Sequence, residues 1–334
     1  MALSLSNIKN LKHIVTHAYC PDGTASALLL KQCLPWADVT FVQYNTEEHK
    51  TLPVREGTIF ADFSPHDDQV EDFVRVGAVV LDHHITKKEV VEKFGKNGVF
   101  GDEKTEPGIS GASLVFREVY KPLMESHRVS SQDIRKVQDF AYLVGIRDTW
   151  QNKHKRWNEA CAVSEALNFW PWNTYKSLKD LESKLEIGPI LLERKLNAAK
   201  KAGDDAWRFT TSRKTKVAVI EGVRMSSDTA EYLDDEVDLV IGFNVRAIDG
   251  KSTLIFSNRS HTFFDCAAFA TKHGGGGHTR AAGFAWQLGP NDPQPHTLIR
   301  RIVEHYELTG ERYNSKVPLW DRLRYLKWLH LQST

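Results

Sequence analysis

The apolar positions of the first hundred residues come in short runs punctuated by turn residues. Lys12 to Cys20 (KHIVTHAYC) begins as a strand and runs into the turn Pro21-Asp22-Gly23. Thr24 to Leu34, rich in Ala and Leu, reads as a helix. Val39 to Tyr44, Thr58 to Phe63 and Gly77 to Leu81 read as further strands. Between the last two, Pro65 to Val76 reads as a helix with Asp67 and Asp68 in its first turn, where the helix dipole favours acids. Strands alternating with helices predict an α/β unit whose mainly parallel sheet is flanked by helices. Ser110 can cap a helix over Gly111 to Met124, and Ser130 or Ser131 one that runs to about Ile146.

From Gln151 to Gly203 the pattern turns helical and charged, with no strand signal and a break at Gly188-Pro189. Strand character returns at Lys216 to Ile220, Asp238 to Val245 and Lys251 to Asn258. A short helix over Phe264 to Lys272, with Asp265 near its start, leads into Gly274-Gly275-Gly276-Gly277-His278, and a strand over Gly283 to Leu288 follows. The expected organisation is an N-terminal α/β domain (1–165), a helical connector (166–204), a smaller α+β domain (205–310) and a helical tail (311–334). Val317 to Leu331 is apolar at helical spacing and is expected to be a docked helix.

Composition narrows the class without choosing the chemistry. A chain of 334 residues exceeds one ordinary core, which agrees with two domains. No window has the apolar length of a membrane span, and the start lacks a signal-peptide apolar region. Cys20, Cys33, Cys161 and Cys266 are far apart with no CxxC pair, which excludes a zinc ribbon and argues for a reducing compartment, expected to be cytoplasmic. A net charge of +1 gives no global pull on a polyanion, so any such site has to be local.

The candidate chemistry sits where elements end. The first strand supplies His17 and, past its turn, Asp22; the third ends in Ala61-Asp62-Phe63; the fourth ends in Asp82-His83-His84; a later helix ends in Ile146-Arg147-Asp148. Each has a structural reading taken singly: Asp22-Gly23 as a turn pair, Asp62 as a cap, His17 as a core histidine, Asp148 as a helix-end acid. Parallel strands, however, send their carboxyl ends to one sheet edge, where α/β proteins build sites. Carboxylates and histidines converging there repel unless cations hold them, and a His/Asp set without a thiolate pair suits manganese or magnesium. Two such ions about 4 Å apart can clamp a phosphodiester and activate water.

The ordered set HAYCPDG, ADFSP, LDHH and GIRDTW resembles the motifs of the DHH phosphoesterase superfamily, and GGGGHTRAAGF resembles the signature of its associated C-terminal domain. Together these motifs span His17 to Phe284. The resemblance implies a two-domain, manganese-using phosphoesterase with its active site in the inter-domain cleft. It assigns His17 and Asp62 to one metal, and Asp22, Asp62, His83 and Asp148 to the other. Asp82 would orient a neighbouring histidine, and His84 would face the scissile phosphate as a catalytic residue. Many family members carry DxDG at the first motif, whereas Cys20 replaces the first acid here. A thiolate is a poor partner for manganese, so one metal or two is left open, as is Cys20 as a packing residue. The first motif is similar to that of a subgroup of oligoribonucleases and cyclic-nucleotide phosphodiesterases.

In the second domain, Gly275, Gly276 and Gly277 offer backbone N–H groups to an anion without side chains in the way, and His278 and Arg280 add donors beside them. Arg259, closing a strand, is a candidate grip for a terminal phosphate. The expected activity is hydrolysis of short single-stranded oligonucleotides or small nucleotide phosphoesters by a metal-activated water. A pyrophosphatase or polyphosphatase and a non-catalytic nucleotide-binding module are the alternatives. No membrane partner is expected, and a homodimer is left open. Trp150, Trp157, Trp170 and Trp172 are read as core or interface residues.

Overall fold

The computed structural model describes residues 3–44, 46–175, 178–222, 226–233, 236–248 and 250–314, with the main chain only at 178 and 278. The tail helix expected from Val317 to Leu331 lies outside the described residues. The chain divides into two compact units, Met1–Leu192 and Glu193–Thr334. Among the described residues no helix is long and apolar enough to cross a membrane.

In the first unit the strands are β1 (His13–His17), β2 (Asp38–Val42), β3 (Thr58–Ala61), β4 (Val79–Asp82) and β5 (Gly98–Phe100). They form one sheet in the order β2-β1-β3-β4-β5, every pair parallel. β3 and β4 are buried along their whole length, which is why they read as continuous apolar runs. Their residues still alternate between faces. Ile59, Ala61, Val79 and Leu81 join the core under the helices Pro21–Cys33, Gly111–Val115 and Ser131–Asp148. Phe60 and Val80 join Phe63, Phe73 and Phe94 on the opposite face.

The chain steps from β1 outward to β2 and then returns to the other side of β1 for β3. That reversal opens a crevice at the carboxyl ends of β1 and β3, the position at which open α/β sheets bind ligands. Thr16, just inside this edge, is fully buried, and its hydroxyl stands 3.0 Å from the Gly23 carbonyl and 2.8 Å from that of Ala61. One side chain thus ties the β1 and β3 ends to the start of the 21–33 helix.

Local differences from the sequence expectation have identifiable causes. The helix expected from Thr24 starts at Pro21, because proline suits the first helical position, and a short helix over Leu5–Lys9 precedes β1. The segment from Pro65 begins as a 3-10 turn (Asp67–Gln69) and becomes α-helical only at Val70–Arg75. The helix that Ser110 caps is interrupted by a π segment over Phe116–Tyr120. Pro122 has no N–H to donate and would collide with the preceding turn; in the widened turn Lys121 N–H reaches Phe116 O instead. Strand β5 and the helix Lys88–Lys93 have too few residues for a readable period.

The second unit carries a mixed sheet of β6 (Trp207–Thr210), β7 (Lys216–Glu221), β8 (Leu239–Ile248), β9 (Lys251–Arg259), β10 (Gly276–His278) and β11 (Ala281–Gln287). Its order is β10-β11-β9-β8-β7-β6, antiparallel except for the β7–β8 pair. Helices Cys266–Lys272, capped by Asp265, and Pro295–Thr309 close its main core, which holds Phe256, Phe269, Phe284 and Ile302.

Replacing Thr16 by valine keeps the shape and leaves two buried carbonyls without that hydroxyl. The expected loss is about 1–3 kcal/mol of stability, read from the urea unfolding midpoint. An unchanged midpoint would mean that the hydroxyl contributes nothing to joining these segments.

Candidate metal and phosphate site

The edge carboxylates meet around His83. Its Nε2 lies 3.2 Å from Asp62 Oδ1, 3.3 Å from Asp148 Oδ2 and 3.6 Å from Asp22 Oδ2. Its other nitrogen, Nδ1, is 3.3 Å from Glu103 Oε1. A donor hydrogen on Nδ1 toward Glu103 leaves the Nε2 lone pair aimed at three carboxylates, an arrangement that calls for a proton or a cation between them. Two donor atoms held by one cation at about 2.1 Å stand roughly 3.0 Å apart at right angles and roughly 3.4 Å apart at tetrahedral angles. The observed spacings fit such an ion.

Asp62 faces two ways. Oδ1 points to His83, while Oδ2 is buried without a hydrogen-bond partner and lies 3.9 Å from His17 Nδ1, which is likewise unpartnered. Three donor groups form here, each with ligand atoms within 4.8 Å of one another: His17, Cys20 and Asp62; Asp62, His83 and His84; Asp22, His83 and Asp148. The two orphaned atoms and the shared carboxylate fit a pair of divalent cations with Asp62 between them.

Asp82 is built differently. It is wholly buried and all its contacts are protein: His84 Nδ1 at 2.7 Å and the His84 N–H at 3.1 Å on Oδ1, with the Ser64 hydroxyl at 2.5 Å and the Tyr44 hydroxyl at 3.2 Å on Oδ2. It fixes the His84 ring and leaves Nε2 as the nitrogen free for another partner. Asp22, also wholly buried, accepts the Gly111 N–H at 2.6 Å and the Ala112 N–H at 2.8 Å, so the 111–115 helix starts on its carboxylate.

The electrostatics follow from crowding. Burial, reinforced by Asp22, pushes the Asp62 carboxyl well above its ordinary range and Asp148 up to about 6, although the Asp148 side chain is 24% exposed. For Asp82 burial acts upward, but the hydrogen bond and charge of His84 outweigh it and hold the group at about 2. Burial likewise opposes the His84 imidazolium, yet Asp82 raises it to about 9. Burial and the neighbouring His84 push His17 down to about 4. The Cys20 thiol is driven well up by burial, then by Asp62, Asp148 and Asp22.

The backbone is bent to make this fit. Among the described residues five non-glycine residues have φ in the left-handed region, and three belong to the site's loops: Tyr19 (59°), Asp62 (56°) and Trp150 (52°). Each costs about 1 kcal/mol or more, a strain the surrounding packing has to hold. Trp150 is braced by Arg147, whose guanidinium lies 4.2 Å from its ring centroid, and by Trp157 at 5.2 Å. Gly111 allows the closest approach, since a Cβ there would stand 2.3 Å from Asp62 Cβ and 2.9 Å from Asp22 Oδ2.

Sequence reasoning missed Glu103, Tyr44, Ser64 and Gly111. Glu103 lies in a loop with no periodic signal, and Gly111 was read only as a helix start. ADFSP had drawn attention to Asp62 rather than Ser64.

In the second unit, Gly276 and Gly277 belong to the edge strand β10 rather than to a loop, and Gly277 takes φ 140° against Ala281 and Ala282. Gly275 is pressed against Gly283 O and Phe284. The register places Arg259 opposite Ala281 and Ala281 opposite His278, three neighbouring positions at one end of the sheet. Arg259 Nε donates to Ser227 Oγ at 2.7 Å and Nη1 to Asn258 O at 2.8 Å. Arg280 is exposed in the β10–β11 turn, and its carbonyl accepts the Ser260 N–H at 3.1 Å. The His278 side chain lies outside the described residues.

No family model matches the sequence, and no curated protein does. Solved structures do. The DHH domain of a member of a ribosomal-protein family aligns over 92% of this chain and 89% of its own, at TM-score 0.53 and 10% identity. An exonuclease RecJ bound to manganese aligns over 95% and 96%, at 0.50 and 15%. The pGpG-specific phosphodiesterase PggH of Vibrio cholerae aligns over 84% and 94%, at 0.43 and 14%. The chain shares its fold with the DHH domain and the manganese-bound RecJ: a parallel five-stranded α/β unit followed by a unit built on a mixed sheet.

Gly111→Ala should force Asp62 and Asp22 apart and weaken manganese binding by about tenfold or more, measured by isothermal titration calorimetry on a variant whose circular dichroism is unchanged. Wild-type affinity would mean that the helix start can retreat without disturbing the carboxylates.

Proposed function

We propose that the protein is a divalent-cation-dependent phosphoesterase that hydrolyses short oligonucleotides or small nucleotide phosphoesters. The observation that carries this reading is Asp62, a buried carboxylate with one oxygen toward His83 and the other, unpartnered, toward His17. A lone structural ion would not call for two abutting donor sets sharing one carboxylate. The Asp22, His83 and Asp148 set is suited to manganese or magnesium, and the RecJ structure that shares this fold is a manganese-bound exonuclease. Bound cations would supply neutralisation of the phosphate and a lowered pKa for the attacking water.

The chain's own residues have separate tasks. Glu103 sets the His83 tautomer so that Nε2 turns to the carboxylates. Asp82 clamps His84 through Nδ1, so that Nε2–H can be given to a phosphate oxygen or to the departing oxygen. Thr16 and Gly111 hold the β1, β3 and 111–115 segments close enough for Asp22 and Asp62 to share the site. In the second unit Arg259, Arg280, His278 and the Gly275–Gly277 main chain are assigned to the substrate's phosphate. Support for that assignment is their common place at the β9, β10 and β11 sheet end.

The test is manganese-supplemented hydrolysis of a short RNA by wild type, His83→Ala and Asp148→Ala. Each substitution should lower turnover by at least about 100-fold, since ligands matter no less than the groups that orient them. Turnover of pyrophosphate without turnover of dinucleotides would make the protein a pyrophosphatase. Equal, negligible turnover in all three with nucleotide binding retained would make it a binding module.

A further inference from the structure

The two cation positions do not have the same chemistry. Around Asp22, His83 and Asp148 the donors are one imidazole and carboxylates. Around His17, Cys20 and Asp62 they are one imidazole, one thiol and one carboxylate, all within 4.8 Å. Cys20 lies just ahead of the helix Pro21–Cys33 in extended backbone, φ −119° and ψ 130°. Cys33, Cys161 and Cys266 are buried, and only Cys20 is partly open to solvent. The position does not rest on a cysteine alone. Asp62 Oδ2 and His17 Nδ1 are both buried without hydrogen-bond partners and face each other across 3.9 Å, and Asp62 is 1% exposed.

We propose that Cys20 binds, as thiolate, a zinc-class ion at the His17–Cys20–Asp62 position, while Asp22, His83 and Asp148 keep the other position for manganese or magnesium. The proposal rests on the two-cation reading above and divides it. A sulphur, a nitrogen and an oxygen donor make a set that zinc accepts in tetrahedral geometry, and three protein ligands leave a fourth place open, as in catalytic zinc sites. Manganese ranks below zinc for such a set and gains little from a thiolate. The incoming cation takes the place of the thiol proton, which leaves to solvent as the sulphur–metal bond forms.

The experiment uses the full chain stripped of metal and titrated with cobalt(II), a spectroscopic substitute for zinc. Wild type should develop a near-ultraviolet thiolate-to-cobalt charge-transfer band that saturates at one equivalent and is absent from Cys20→Ser. Zinc should bleach that band in competition, and manganese at equal concentration should leave it. In parallel, iodoacetamide labelling of Cys20, read by mass spectrometry on the unaltered protein, should be suppressed by zinc and unaffected by manganese. Cys20→Asp should remove the charge-transfer band and narrow the preference for zinc over manganese at the position. No band in wild type, a band surviving in Cys20→Ser, or labelling of Cys20 undiminished by zinc would each overturn the proposal. Such a result would leave the phosphoesterase reading standing if turnover still depended on His83 and Asp148. Loss of that dependence with the band intact would sink the activity and not the site.

Discussion

Three carboxylates, Asp22, Asp62 and Asp148, crowd around one imidazole at a single sheet edge, and the rest of the first unit answers their repulsion. In water such groups would separate; here Asp22 and Asp62 are held at 1% exposure or less. Asp22 is relieved by two N–H groups at the start of a helix, and Asp82 next door by His84, Ser64 and Tyr44. Asp62 receives no comparable relief on its second oxygen. Burying a carboxylate without a full set of donors is costly unless a cation completes it. The upward displacement of Asp62 and Asp148 expresses the same cost in protons.

Topology makes the crowding possible. The reversal between β2-β1 and β1-β3 opens the edge; β4 runs one residue past the Ala61–Leu81 pair, and Asp62 and His83 are each the first residue beyond their strand. The left-handed turn at Asp62 swings the side chain out of strand alternation and into the crevice. Without a β-carbon, Gly111 lets the helix behind press to within contact of both carboxylates. Packing supplies the force: Phe60, Phe63, Phe73 and Val80 fix one side of the sheet, and Leu81, Ala112 and Leu114 the other. Strain is therefore concentrated where the donors sit and held by apolar contacts away from them.

Much of this was legible in the sequence because the signals were strong locally. Runs such as TIFA and VVLD have only one comfortable conformation between turn residues, and Ser110, Ser130 and Asp265 stand where caps belong. His17, Asp22, Asp62, His83 and Asp148 could be gathered because each closes or opens an element, and parallel strands fix which edge they share. What escaped depends on three dimensions. Glu103 contacts His83 from a loop whose sequence has no period, and β10 is three residues that pair only because β11 is there. The helix Pro295–Thr309, by contrast, carried a readable signal that the sequence expectation left out: a proline start, a glycine stop with Gly310 in left-handed geometry, and Leu298, Ile299, Ile302 and Val303 on one buried stripe.

The exchange of an acid for Cys20 acts on one position directly and on the other through Asp62. A carboxylate shared by two cations gives each less charge than it would give one alone. A carboxylate and a thiolate carry the same formal charge, but sulphur donates more electron density to a zinc-class ion, so on the proposed assignment that position would draw less from Asp62. More of the carboxylate's charge then remains toward Asp22, His83 and Asp148, which strengthens the hold on a hard ion there. The same electron donation from sulphur would lower the positive charge that the soft position offers to a bound phosphate. Polarising the phosphate would then fall more to the Asp22–His83–Asp148 side, beside which His84 is held by Asp82. Unequal ligands thus imply unequal labour within one site, with Asp62 as the element through which the two halves sense each other.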